Sequence, residues 1–94
     1  MTVYERLRQL KSGQTAFVDY DDTLWVDGKP NKMLIESLIQ AQNRGVSIHL
    51  WTHANFYETI IRVENMRKYG LRFDFVHCGI EKADLIIDNL AVTP

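Results

Sequence analysis

The sequence contains one cysteine and two prolines in 94 residues. A lone cysteine closes no internal disulfide, so the fold must rest on apolar burial. That usage fits a reducing compartment and gives the expectation of a cytoplasmic protein. No apolar run approaches the roughly 20 residues that span a bilayer, so no membrane partner is expected. The opening residues, MTVYERLRQL, carry Glu5 and lack the apolar centre of a secretory signal. Neither sign of charge dominates: 11 Lys+Arg against 12 Asp+Glu leave a formal net charge of -1. Charge therefore indicates neither nucleic acid nor an anionic membrane as partner, although a phosphate on a nucleic acid stays open as a substrate. Repeats, low-complexity tracts, charge blocks and linkers are all missing, which leaves one domain over residues 1–94. The 46% hydrophobic content is that of a globular chain. At this length about 60–65% of the unfolded surface can be buried, so the core is thin.

What is present is an alternation of periods. Residues 1–12 hold an N-terminal helix: Thr2 and Glu5 make a capping-box pair, Val3, Leu7 and Leu10 share a face, and Ser12-Gly13 stops it. Residues 15–20, TAFVDY, read as a short buried strand. Residues 31–44 predict a helix with Leu34, Ile35, Leu38 and Ile39 as its stripe, Asn31 as cap and Gly45 as stop. Residues 46–51 predict a second strand. Residues 55–69 predict a helix with Asn55 and Glu58 at cap spacing, Phe56, Ile60 and Val63 as stripe and Gly70 as stop. Residues 73–76 and 84–87 predict two further short strands. Alternating strands and helices imply right-handed βαβ units and a parallel sheet of about four strands. Residues 24–30 break the rhythm with a small hairpin, because Asp27-Gly28 is a strong two-residue turn signal.

In an open parallel sheet, ligands bind outside the carboxyl ends of the strands. The first strand runs into Asp19, Asp21, Asp22 and Thr23, the second into Thr52 and His53, the third into His77 and Cys78, and the fourth into Asp88 and Asn89, with Lys82 just before it. Clustered carboxylates resist ionisation together unless a cation joins them. An all-oxygen set suits Mg²⁺, which keeps several waters and usually also contacts a phosphate. Thr52 can donate a hydrogen bond to a phosphate oxygen, and Lys82 can neutralise it as a point charge. The chemistry that uses these parts is phosphoryl transfer to a carboxylate nucleophile.

These residues resemble the motifs of the haloacid dehalogenase (HAD) superfamily of phosphohydrolases. AFVDYDDTLW resembles its first motif, an apolar strand followed by D-x-D-x-T. VSIHLWT resembles the second, an apolar strand ending in Thr or Ser. KADLIIDN, residues 82–89, resembles the third and fourth compressed together, and the order holds across residues 15–89. The resemblance implies a three-layer α/β/α Rossmann-like fold and a Mg²⁺-dependent phosphatase. Asp19 would be the nucleophile that carries the phosphoryl group and also a metal ligand. Asp21 would be the general acid/base, its backbone carbonyl a second ligand. Thr52 and Lys82 would hold the transferring group, and Asp88 would anchor Mg²⁺. Asp22, Thr23 and His53 complete the expected phosphate-binding edge. Asp22 stands where many members have Gly. Asn89 stands where small members often have a second Asp, which leaves Asp88 as the only obvious ligand there and predicts weaker Mg²⁺ binding.

Larger members insert a cap domain in the flap or after the third strand. Here the flap is seven residues, 24–30, which points to a capless member with an open site. Such a site suits a small phosphorylated metabolite, a phosphate borne on a macromolecule, or a site covered by another subunit in a homo-oligomer. Two other functions use the same residues. A non-catalytic phosphate- or metal-binding regulatory module would retain the fold, and Asn89 keeps that reading open. A receiver-type phospho-acceptor domain would need an Asp after the third strand, where His77 stands. Taken singly, Thr52 is a strand-end cap, Lys82 a surface lysine and Asp88-Asn89 a turn; the joint pattern carries the inference. His53 reads equally as a substrate contact or a helix cap. His49 reads as a packed core histidine, and His53, His77 and Cys78 match no usual zinc spacing. Trp25 and Trp51 read as packing for the flap and the sheet.

Overall fold

The computed structural model describes residues 2–52, 54–77, 85–87 and 92–93. Helix α1 (Val3–Gln9) begins at Thr2, whose hydroxyl accepts the Glu5 N–H at 3.2 Å while the Glu5 carboxylate accepts the Thr2 N–H at 3.4 Å. That reciprocal pair is the expected capping box. Helix α2 (Lys32–Asn43) is capped by Asn31, which accepts the Leu34 N–H at 3.4 Å, and α3 (Phe56–Lys68) by Asn55, which accepts the Glu58 N–H at 2.9 Å. Each cap satisfies a donor that the first helical turn leaves without an intrahelical acceptor.

Strands β1 (Thr15–Val18), β4 (Ser47–Trp51), β5 (Phe75–His77) and β6 (Leu85–Ile87) are mutually parallel, in the order β5-β4-β1-β6. A fifth strand, β7 (Val92–Thr93), adds to β6 antiparallel and was not foreseen in the sequence. The strand expected over 73–76 starts two residues later. The cause is Asp74, whose N–H donates to the Ile48 carbonyl at 2.8 Å while its carboxylate accepts the Ile48 N–H at 2.7 Å, so the chain is pinned to β4 by a side chain before β5 begins. The flap is the expected hairpin, β2 (Trp25–Val26) antiparallel to β3 (Lys29–Pro30). Asp27 and Gly28 at its tip have φ of 52° and 73°, as a two-residue turn of the primed type requires.

The chain steps from β1 through α2 to β4, and through α3 to β5, always toward the same edge. Right-handed crossovers that step in one direction lie on one face of the sheet. The core agrees: Ala16, Val18, Ile48 and Leu50 join Leu7, Leu38, Ala41 and Met66 in one buried cluster to which all three helices contribute. Each fully buried Leu or Met there contributes roughly 1.5–3 kcal/mol. The alternate positions on the sheet point the other way. There Phe17 stacks on His49 and His77 with ring centroids 5.2 and 4.8 Å apart, and His49 meets Phe75 at 5.1 Å. Among the described residues all three helices pack on one face of the sheet, which shows an α/β fold; the helical layer expected on the second face has no counterpart among the described residues. Residues 78–84, which link β5 to β6, lie outside the described residues. No helix among the described residues is long and apolar enough to cross a membrane.

Gly45 ends α2 with φ 97°, and its carbonyl accepts the Gly13 N–H at 2.9 Å. A Cβ there would run into the Ser12 side chain. Gly45→Ala is therefore expected to lower unfolding stability by about 1–2 kcal/mol. Urea unfolding reads this directly, and an unchanged midpoint would contradict it.

Candidate active site

Strand β1 reaches its neighbours on both edges, and its chain turns off toward β4 on one side while β6 lies on the other. This is the topological switch point where a parallel sheet opens a crevice at its carboxyl edge. The Asp19 N–H donates to the Ile87 carbonyl at 2.9 Å, which ties the end of β1 to the end of β6. On the other side the Thr52 N–H donates to the His77 carbonyl at 3.0 Å. The ends of four strands are thereby held at one level.

Past Asp19 the chain turns sharply. The Tyr20 carbonyl accepts the N–H groups of Thr23, Leu24 and Trp25 at 3.0–3.3 Å. Asp22 pays for this tightness with a left-handed backbone, φ 57°, a conformation that Asp tolerates better than most residues. Asn31 fastens the turn from the other side: its side-chain N–H donates to the Thr23 carbonyl at 3.0 Å, and its backbone N–H to the Leu24 carbonyl at 2.8 Å. The cap of α2 and the flap are thus one hydrogen-bonded unit.

Asp19, Asp21 and Thr52 line a common cavity of about 290 Å³, together with Ala54, Glu58 and Arg62. Three of the expected site residues are therefore brought together. Thr52 is buried, and its hydroxyl oxygen accepts the Ala54 N–H at 3.0 Å. Asp22 and Thr23 are not among the lining residues. Asp22 is exposed on the turn, whereas Thr23 is buried with a hydroxyl that finds no hydrogen-bond partner among the described residues. His53, Lys82, Asp88 and Asn89 lie outside the described residues. Cys78 lies outside them too. His49 is half-buried, as expected of a packed histidine, and its Nδ1 lies 2.8 Å from Nε2 of His77.

The sequence reading missed Arg62. Its guanidinium spans the cavity: Nη2 donates to the Asp21 carboxylate at 2.8 Å and Nη1 to the Thr52 hydroxyl at 3.2 Å. The Glu58 carboxylate lies 3.9 Å away, one turn earlier on α3. The guanidinium sits over the Tyr20 ring, whose centroid is 5.0 Å from the Arg62 Cζ. Tyr20 is held in turn by Asn65, which donates to its hydroxyl at 2.9 Å, and by stacking on Trp25 at 6.2 Å. Only 18% of the Arg62 side chain is exposed, against 65% for Asp21. A signal for Arg62 did exist. It falls outside the Phe56/Ile60/Val63 stripe, four residues after Glu58, on the helix that follows Thr52.

The side-chain oxygens in the cavity are the carboxylates of Asp19, Asp21 and Glu58 and the hydroxyl of Thr52. One or two carboxylates with backbone oxygens and waters are what Mg²⁺ takes, so this set fits a hard cation. No three acidic, imidazole or thiol groups converge among the described residues closely enough to hold a metal by themselves. In comparisons with known proteins, no family model matches the chain, and no curated protein or solved structure matches it.

Two substitutions separate the cavity's structural parts from its exposed ones. Thr52→Val strips the acceptor from the Ala54 N–H and is expected to cost about 1–3 kcal/mol. Arg62→Ala removes an ion pair to a largely exposed carboxylate and is expected to cost at most about 1 kcal/mol. Urea unfolding of both variants checks the order; Arg62→Ala proving the more damaging would contradict it.

Proposed function

We propose that this chain is a capless HAD-type phosphohydrolase that cleaves phosphomonoesters through an aspartyl-phosphate on Asp19. The observation that carries the reading is the meeting of Asp19, Asp21 and Thr52 in one cavity at the carboxyl edge of a parallel sheet, spanned by Arg62. The order of the four motif-like segments in the sequence supports it independently. The substrate class is a small phosphorylated metabolite or an exposed phosphate on a macromolecule.

In this mechanism a carboxylate oxygen of Asp19 attacks phosphorus and the bond from phosphorus to the leaving oxygen breaks. Asp21 supplies the proton that the leaving oxygen needs. Asp21, now a carboxylate, takes a proton from water, whose oxygen attacks the phosphoryl group on Asp19. The Asp19–phosphorus bond breaks, inorganic phosphate leaves, and both aspartates return to their starting states. Thr52 donates to a non-bridging oxygen. Arg62 presents a fork suited to bidentate phosphate binding, and a phosphomonoester carries more negative charge than the single, largely exposed Asp21 carboxylate. An arriving phosphate thus draws Arg62 from Asp21 and frees Asp21 to work as acid and base. Asp19, the Asp21 carbonyl and Asp88 would hold Mg²⁺, which when bound offsets the charge gathered on the phosphoryl oxygens. Lys82 would add a point charge beside it.

The Arg62–Asp21 ion pair also favours a second reading, a phosphate-binding module without turnover, because a guanidinium already neutralises the acid that catalysis requires. One experiment divides the two. Hydrolysis of an aryl phosphate is measured with Mg²⁺, with EDTA and in Asp19→Asn. Turnover that needs Mg²⁺ and falls at least about 10³-fold in Asp19→Asn is expected. Phosphate binding with no turnover would select the binding module.

A further inference from the structure

Nine large apolar side chains are exposed among the described residues, and five of them, Phe56, Tyr57, Ile60, Ile61 and Val76, gather on α3 and the adjoining edge strand β5. Scattered singly they would need no explanation, but a contiguous patch does. Phe56 and Tyr57 are 74% and 78% exposed. A groove of about 510 Å³ runs between α3 and β5 within the patch, floored by Val63 and flanked by Ile60 and Val76.

We propose that this face is where a second copy of the chain docks, with the two α3 helices antiparallel about a two-fold axis. The first argument is area. With roughly 200 Å² for a full aromatic side chain, the five side chains present about 500 Å² of apolar surface. A standard interface buries about 800 Å² per partner, about 60% of it apolar, which is the same amount.

The second argument is charge, and it selects a copy of this chain over another occupant. The first turn of α3 carries Glu58 and its last turn carries Arg67 and Lys68. An antiparallel pair brings the acidic end of each helix against the basic end of the other. Tyr57, Ile61, Glu64 and Lys68 follow the 4-3-4 spacing of a helix–helix seam, and all four are exposed. A two-fold axis midway along that seam sets Tyr57 against the partner's Lys68, an ammonium on an aromatic ring, and Glu58 against the partner's Arg67. Ile61 meets the partner's Glu64 across the axis, and each Glu64 carboxylate lies 3.4 Å from Arg67 of its own helix, which offsets its charge beside the seam. The surface is therefore self-complementary, as a two-fold interface requires. A net charge of -1 gives two copies little mutual repulsion. Ala54 lines both the groove and the acidic cavity, so the partner sits beside the mouth of the candidate site.

Sedimentation velocity across the micromolar range tests this, with circular dichroism to confirm folding of each variant. A concentration-dependent dimer is expected for the unaltered chain. Ile61→Asp is expected to abolish it, and Arg67→Glu with Lys68→Glu to weaken it at least about tenfold. Met33→Asp, which changes an exposed apolar side chain on α2, is expected to leave it intact. An unaltered chain that stays monomeric would overturn the proposal and leave the face to a different partner. A dimer that survives Ile61→Asp, or one equally lost in Met33→Asp, would overturn it as well. None of these readings depends on catalytic activity.

Discussion

Strand β1 is bonded on both edges, to β4 through Thr15–Val18 and to β6 through residues 16–18, and it is buried on both faces. Ala16 and Val18 fill the side toward the helices, and Phe17 the side toward the histidines. A strand held on four sides has almost no freedom to shift, and a slip of one residue would exchange its two faces. The residue that leaves this clamp first is Asp19. Its N–H is already committed to the Ile87 carbonyl, so the position of its backbone is dictated by packing many residues away from it. The sharp turn at Tyr20, the flap and the cap of α2 all build outward from that fixed point.

The second organising interaction is Arg62. A cavity lined by Asp19, Asp21 and Glu58 needs positive charge, and among its lining residues Arg62 supplies it, with its Cζ 5.0 Å from the Tyr20 ring centroid. The ion pair adds little to stability, because Asp21 is mostly exposed. Its worth lies in positioning. The Arg62 guanidinium, backed by the buried Tyr20 ring, bridges Asp21 and Thr52, and under the proposed function it is the group that would take a phosphate oxygen. The proposal of a phosphate-handling site stands on this geometry together with the acidic motif, and the motif alone would leave the origin of the compensating charge open.

Helices and their caps were legible in the sequence because their signals are local. Thr2 with Glu5, and Asn55 with Glu58, announce their helices within four residues, and Asp27-Gly28 announces the flap. The acidic edge was legible because a run of apolar residues entering three aspartates has few ordinary explanations. What escaped was non-local. Asp74 delays β5 by replacing backbone pairing with its own carboxylate, a substitution visible only once Ile48 lies beside it. Arg62 enters the site from a helix ten residues past Thr52; its place off the apolar stripe was a local signal, but its two partners across the cavity, Asp21 and Thr52, are visible only once the helix packs beside them. The third layer was expected because the resemblance implies one. The two crossovers that step in the same direction, α2 and α3, place both helices on a single face, and the connection that would carry a helix to the other face, residues 78–84, lies outside the described residues.

The proposed function places the phosphoryl group on Asp19. Trapping it tests that claim most directly. The protein is mixed with an aryl phosphate and Mg²⁺, quenched in acid and reduced with borohydride, which converts an aspartyl-phosphate to homoserine; the modified residue is then located by peptide mass spectrometry. Conversion is expected at Asp19, and none in the absence of substrate. Conversion at Asp21 or elsewhere, or turnover with no conversion at all, would contradict it.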